Sequence, residues 1–384
     1  MNRFVAWLSS LLLVAGMTSA QAQVKVGVIL SLTGPAASLG VPARNTVNLW
    51  PKKIGGQDVV LTVLDDGSDP GAATSAARKL TSEEHVDVIV GPSVTATALA
   101  IMQVAQETGT PVMTLAGGGA VVSPMNEPRR WMFKMPPAEE IPLHMILKDM
   151  QAKGKSRLAV VAVSNAYGET FLKVLQELAP KSNVSIVGVE RFNPNDLTFT
   201  SQAIKLFASQ PDAVFIAAVG TPGATPHIAL VRRGFTGTIY QTQAIANNDF
   251  LRVGGNDVEG ALFPVSPLLV AEQLPDGNAI KPVALDYLKI YEDQYGKGSR
   301  SLFGAMAWDA RLFLEKAIVK ACAKATPGTE AFRSALRDAL ETTSELVVTQ
   351  GVYSLSPQDH NGADERSQVM VAIRKGGWSL MPTN

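Results

Sequence analysis

Short apolar runs rich in Val and Ile alternate with stretches of helical spacing along most of this chain, the pattern of βα units wound around parallel sheets. The runs predicted as strands are Val24–Leu30, Val59–Asp65, Val86–Val90 and Pro111–Leu115, then Leu158–Val163, Val184–Val189, Ala213–Val219 and Thr238–Thr242. Between them, Asp69-Pro70 offers an N-cap and a proline at the first helical position, ahead of Ala73, Ala76, Ala77 and Leu80 at helical spacing. Thr95 likewise precedes Ala98, Met102 and Ala105, and Gly168 precedes Phe171, Leu175 and Leu178. Two sets of four strands predict an α/β protein of two doubly wound, parallel-sheet lobes.

The last third differs. Helical spacing runs from about Ala279 to Tyr295, from about Phe303 to Ala323 and from about Glu330 to Thr342. After Pro357 the pattern turns to β, and Gln368–Arg374 and Trp378–Met381, joined by Lys375-Gly376-Gly377, read as a hairpin because glycine supplies the positive φ of a tight turn. Joints rich in proline and glycine near Lys134-Met135-Pro136-Pro137, Phe263–Pro267 and Thr349–Gly351 are the expected places where the chain crosses between lobes. They divide it into lobe 1, residues 23–137 and 268–348, and lobe 2, residues 138–267 and 349–384.

Ahead of the first strand, Arg3 serves as a positive n-region, Phe4 to Val14 as a mostly apolar h-region and Ala20-Gln21-Ala22 as a small-x-small cleavage site. That is an export signal cut after Ala22, and no later stretch of about 20 apolar residues spans a bilayer as a helix. The only cysteine, Cys322, is far from the position that a lipid anchor on the mature chain requires, and it forms no intramolecular disulfide. A freely diffusing periplasmic protein is expected. Basic and acidic residues balance at 34 each, or 33 against 34 once Arg3 leaves with the signal, which gives no support to a nucleic-acid or acidic-membrane partner.

Catalytic and metal signals are weak. The four histidines, His85, His144, His227 and His360, have no metal-ligand spacing, and the common nucleophile-elbow and phosphate-loop motifs are missing, so neither metal nor cofactor is expected. Two strand-to-helix junctions are more informative: Gly91-Pro92-Ser93-Val94-Thr95 and Leu115-Ala116-Gly117-Gly118-Gly119. Both fall at carboxyl ends of predicted parallel strands, where doubly wound sheets hold ligands and free helix-start N–H groups favour an anion. Thr95 suits an anion contact and also suits a plain helix cap.

Several segments, in order, carry a resemblance: Val26-Gly27-Val28 with Thr33-Gly34-Pro35, Asp65-Asp66-Gly67-Ser68-Asp69-Pro70, Gly91-Pro92, Gly109-Thr110-Pro111-Val112, Asn165-Ala166-Tyr167-Gly168, Ala307-Trp308-Asp309-Ala310 and Asp359-His360-Asn361-Gly362. Over nearly the whole mature chain it resembles the type I solute-binding proteins of ABC importers, in the group of the leucine/isoleucine/valine-binding protein.

The resemblance implies two lobes joined by three crossovers, closing as a monomer on a small ligand and presenting it to an inner-membrane ABC permease. It places Thr95 on the ligand carboxylate, Gly117 and Gly119 where backbone or threonine groups assist, Tyr167 as an aromatic wall and Thr221 near another contact. Gln243 falls where an acidic residue pairs with the ammonium of an amino acid. An amide there removes the charge partner that a buried ammonium needs, so the expected ligand is an aromatic or branched aliphatic carboxylate without an α-amino group, ahead of a branched-chain amino acid. A soluble periplasmic sensor for a membrane receptor is the alternative, and an exported hydrolase is disfavoured because no nucleophile–base motif is readable.

Overall fold

The computed structural model describes residues 23–382. The export signal lies outside them. Six strands, β1 (Val24–Leu30), β2 (Lys53–Ile54), β3 (Gln57–Asp65), β4 (Val88–Val90), β5 (Val112–Thr114) and β6 (Met132–Lys134), form the first sheet in the order β2-β3-β1-β4-β5-β6. All of its pairings are parallel except the short β2–β3 edge. The second sheet takes β7 (Arg157–Val163), β8 (Ser185–Phe192), β9 (Ala213–Ala217), β10 (Thr238–Gln241) and β11 (Leu262–Val265). After a two-stranded ribbon, β12 (Leu346–Val347) and β13 (Val352–Tyr353), the chain returns to it with β14 (Val369–Arg374) and β15 (Gly377–Leu380), giving the order β15-β14-β11-β10-β9-β7-β8.

Both parallel cores therefore share one topology, second-first-third-fourth-fifth. β1 and β7 are central, and their near-continuous apolar runs are buried except at Lys25 and Arg157, as strands covered on both faces must be. Helices α1 (Ala37–Val47), α2 (Pro70–Ser82) and α3 (Thr95–Thr108) serve the first sheet, and α4 (Glu140–Ala152), α5 (Ala166–Leu178), α6 (Thr200–Ala208), α7 (Ala224–Arg232) and α8 (Asn248–Gly254) the second. Asp69 caps α2 from Ala72 N at 2.8 Å with Pro70 at the first position, as its sequence predicts.

The C-terminal third adds α9 (Ile280–Tyr295), α10 (Leu302–Cys322) and α11 (Glu330–Leu340). Residues Leu302 to Ala310 of α10 are buried without a break, and the helix packs along α1. A helix apolar on every side belongs inside the molecule.

Two strands were hidden in segments whose composition reads as joints. β6 is wholly buried but only three residues long and runs into Pro136-Pro137, too short to display a period. β11 contains Pro264, yet its pairing with β10 goes only through Leu262, so the missing N–H costs no bond on that side; β14 pairs with it antiparallel on the other. The terminal hairpin forms with a two-residue turn, Lys375 and Gly376 at φ 53° and 68°, and Gly377 already pairs with Arg374. Beyond Thr33-Gly34-Pro35 the chain turns helical from Ala37, so Ser38, Leu39 and Gly40 sit in α1.

Candidate functional site

In a sheet of this order, the crevice opens at the carboxyl ends of the first and third strands, where the winding reverses. In the first sheet that is between β1 and β4. Ser31 N donates to Ser93 Oγ at 3.2 Å, joining the loops after those strands, while Asp65 accepts from Leu32 N, Thr33 N and the Thr33 hydroxyl and fixes the rim. Gly91, at φ 102°, passes so close to β1 that an added Cβ would lie 1.9 Å from Ile29 O. In the second sheet the equivalent crevice lies between β7 and β9.

The two crevices face one another across a nearly closed cavity with about 10 Å³ of free space. Ser93, Val94, Thr95, Leu115 and Gly117 form the wall from the first sheet; Tyr167, Val219, Gln243 and Ala244 form the wall from the second. Leu302, Phe303 and Met306 from the start of α10 and Pro136 from the first crossover close it. Thr95, Gly117, Tyr167 and Gln243 thus meet in one place. Gly119 lines a neighbouring open groove of about 700 Å³, and at the position expected for Thr221 the structure presents its neighbours, with Val219 in the cavity and Pro222 in its outer mouth.

Thr95 is the first residue of α3, and Val94 occupies the cap position without a side-chain bond. The plain capping reading of Thr95 is therefore replaced: its hydroxyl oxygen accepts from Gly118 N at 3.0 Å, which leaves the hydroxyl hydrogen to donate. Thr114 similarly accepts from Ala116 N and donates to Pro92 O, both at 3.1 Å, holding the glycine loop against the loop after β4.

Each glycine of that loop makes room for one side chain. A Cβ at Gly117 would lie 2.7 Å from the Tyr167 ring, one at Gly118 2.5 Å from Thr95 Cγ2, and one at Gly119 2.7 Å from Glu139 Oε2. Tyr167 and Glu139 belong to the second lobe's helix starts, so Gly117 and Gly119 are where the lobes touch. Tyr167 is held at the start of α5 by Asn165, whose side chain accepts from Tyr167 N and Gly168 N, and burial pushes its phenol pKa up against the lowering effect of a bond with Thr242. Gln243 is also buried, and its Oε1 accepts from Gln368 Nε2 at 3.0 Å.

The contribution of α10 went unread in the sequence. Ala307-Trp308-Asp309, the segment that carries the resemblance, lies one turn beyond the residues that reach the cavity; Ser301, which caps the helix from Phe303 N at 3.2 Å, is the local signal that the helix starts early enough for Leu302, Phe303 and Met306 to reach it. Among the described residues, no charged side chain lines this cavity.

Comparison with known proteins identifies the architecture. The periplasmic binding protein family matches residues 23–375. The chain belongs to the periplasmic binding protein family. A Leu/Ile/Val-binding protein homologue of Brucella melitensis is 25% identical over 254 residues, 64% of this chain and 68% of that protein. Among solved structures, an extracellular ligand-binding receptor from Rhodopseudomonas palustris HaA2 superposes with TM-score 0.90 at 40% identity, covering 94% of this chain and all of that one. A solute-binding protein of an R. palustris ABC transporter, solved in complex with benzoate, superposes with TM-score 0.78 at 21% identity, over 94% of this chain and 96% of that one.

Charges in this periplasmic binding protein gather instead at its crossovers. Lys134 is fully buried, and its Nζ donates to Pro136 O at 3.1 Å and Pro137 O at 2.5 Å, with Glu139 Oε2 farther off at 3.8 Å. Burial pulls the Lys134 pKa down, against the opposing pull of Glu139. Glu139 in turn accepts from Gly119 N at 2.5 Å, tying the first crossover to the glycine loop. At the third crossover Asp309 accepts from Thr349 N at 2.8 Å and Gln350 Nε2 at 3.1 Å, and burial raises its carboxyl pKa to about 7 although those bonds oppose the shift. His360 stacks on Phe133 at 4.1 Å and bonds Met132 O and Glu341, a structural role beside the hinge.

Proposed function

We propose that this protein is the substrate-binding component of an ABC importer, released to the periplasm as a monomer after cleavage near Ala22, and that it captures a small organic acid without an α-ammonium group between its lobes. The observation that carries this reading is the cavity's electrostatics. The first-turn amides of α3 and the free hydroxyl hydrogen of Thr95 converge on the cavity as donors. Facing them are apolar walls, a phenol and an amide, with no carboxylate to pair with an ammonium. Glu139, just beyond the crossover residue Pro136, already accepts from Gly119 N and lies beside Lys134.

The free space between the lobes is only about 10 Å³, room for about one water, so an acid enters only when the lobes part and then re-close around it. The benzoate complex of a structural neighbour is in keeping with this chemistry. Closing the lobes over the acid would favour the closed state through contacts that only that state makes.

A thermal-shift screen of amino acids against aliphatic and aromatic monocarboxylates tests the reading. Stabilisation by the monocarboxylates, with leucine and valine inert, is the expected result; tight binding of leucine or valine with no response to des-amino acids overturns it.

A further inference from the structure

Gln243 reaches the cavity with a fixed hydrogen-bonding sense. Gln368, buried on the chain leading into β14, stands behind it, and its Nε2 donates to two oxygens, Ser367 O at 2.8 Å and Gln243 Oε1 at 3.0 Å. A backbone carbonyl only accepts, so the Ser367 contact dictates which end of the Gln368 amide points that way. The same nitrogen then requires the oxygen of Gln243. Turning both amides over would bring Gln368 Oε1 against Ser367 O, two acceptors facing each other, and would gain nothing for Gln368 Oε1, which is buried without a partner, because a donor would then be stranded in its place. The Gln243 oxygen is thereby consumed inside the protein, and its Nε2, with no partner among the described residues, is left beside the cavity that Gln243 lines.

We infer that Gln368 acts as a positioning residue that makes Gln243 a hydrogen-bond donor to the ligand, so that the transported acid carries, besides its carboxylate, an uncharged oxygen acceptor such as a keto or hydroxyl oxygen. The inference rests on the reading of the cavity as a carboxylate site and narrows it. The carboxylate occupies the donor cluster of α3 and Thr95 on lobe 1, and the second oxygen meets Gln243 on lobe 2, so the ligand bridges the lobes by one polar contact on each. An ammonium is refused twice, since the cavity lining offers it neither a carboxylate nor a free oxygen on Gln243. A plain hydrocarbon acid is refused once, because it leaves the Gln243 N–H groups buried and unpaired on closure.

Titration calorimetry with matched acids tests this. Isocaproate, its α-keto counterpart and leucine share one skeleton; hydrocinnamate, phenylpyruvate, the para-hydroxylated acid phloretate and phenylalanine share another. At least one oxygen-bearing acid is expected to bind about tenfold or more tightly than its oxygen-free parent. In Gln368→Leu the lock is gone, the Gln243 amide turns freely, and that ratio falls towards one while the parent acids bind as before. In Gln243→Glu the donor becomes an acceptor and the order reverses, with the amino acid gaining over the keto acid. Oxygen-free parents that bind as tightly as every oxygen-bearing acid overturn the inference, as does a Gln368→Leu protein that keeps the wild-type ratio. If neither variant folds, the wild-type ratios alone decide. Binding of leucine or phenylalanine with no binding of any des-amino acid instead marks failure of the underlying carboxylate reading.

Discussion

The candidate cavity and the crossovers beside it are built from opposite materials. The cavity is lined by neutral dipoles and apolar side chains. The first and third crossovers bury an ammonium and a carboxylate within a few residues of it, Lys134 among proline carbonyls and Asp309 under the Thr349–Gln350 turn. Fully buried charges are expensive unless their partners are fixed in place, so such groups enforce one local geometry on the strands that join the lobes. A cavity that must fill and empty benefits from the reverse arrangement, weak neutral contacts that become strong only when a ligand closes them off from water. Rigidity at the joints and adaptability at the site are thus separated within one short stretch of chain, residues 134 to 139 serving the first and Pro136 alone touching the second.

The largest effect that would break this contrast is expected at the first crossover. Lys134→Met strands Glu139 and the proline carbonyls, and should lower stability by about 3–5 kcal/mol in urea unfolding. Adding Glu139→Gln should recover most of that loss, and a fully stable single variant would show that the buried charge holds nothing. At the cavity, Thr95→Val removes one neutral donor to an anion and also the acceptor of Gly118 N; carboxylate affinity should fall about 10- to 100-fold by calorimetry, and the free protein should lose about 1–3 kcal/mol of stability.

Between the two regions lies Gly119. Gly119→Ala sets a methyl 2.7 Å from Glu139 Oε2 without touching the cavity lining, so ligand affinity should drop about three- to tenfold and small-angle scattering should report a more open molecule at saturating ligand. Unchanged affinity would remove Gly119 from the closing contact.

A separate effect concerns pH. Asp309 has a folded-state pKa of about 7 against an ordinary value of 3.8, so the folded protein holds a proton that the unfolded chain releases. Its contribution to stability is complete below pH 3.8 and is lost as pH rises towards 7, above which the curve is flat. Asp309→Asn should flatten that part of the melting-temperature profile while costing about 1–3 kcal/mol from one lost acceptor. A wild-type slope of the opposite sign, after subtraction of the Asn variant, would contradict this.

Much of the frame was legible in the chain because burial on both faces writes continuous apolar runs. β1, β7 and β9 are such runs, and Asp69-Pro70 marks a helix start by the chemistry of two adjacent residues. β6 and β11 were not legible, since three or four residues around prolines carry no period and their strand character comes from neighbours already in the sheet. In the site, Thr95 and Tyr167 stood out because they follow strand ends at helix starts. Phe303 and Met306 did not, because a helix buried all round gives no sign of which of its faces meets a ligand.

The sequence by itself determined the two-lobed α/β architecture, the neutral amide at Gln243 and the hydroxyl at Thr95, since residue type and periodicity are local properties of the chain. Only the tertiary structure decided what those groups offer. Gly118, 23 residues on, turns the Thr95 hydroxyl into a donor, and Gln368, 125 residues on, turns Gln243 into one. A hydrogen bond's direction depends on which partner the fold brings within 3 Å, and that choice is made across lobes and crossovers that no local pattern records.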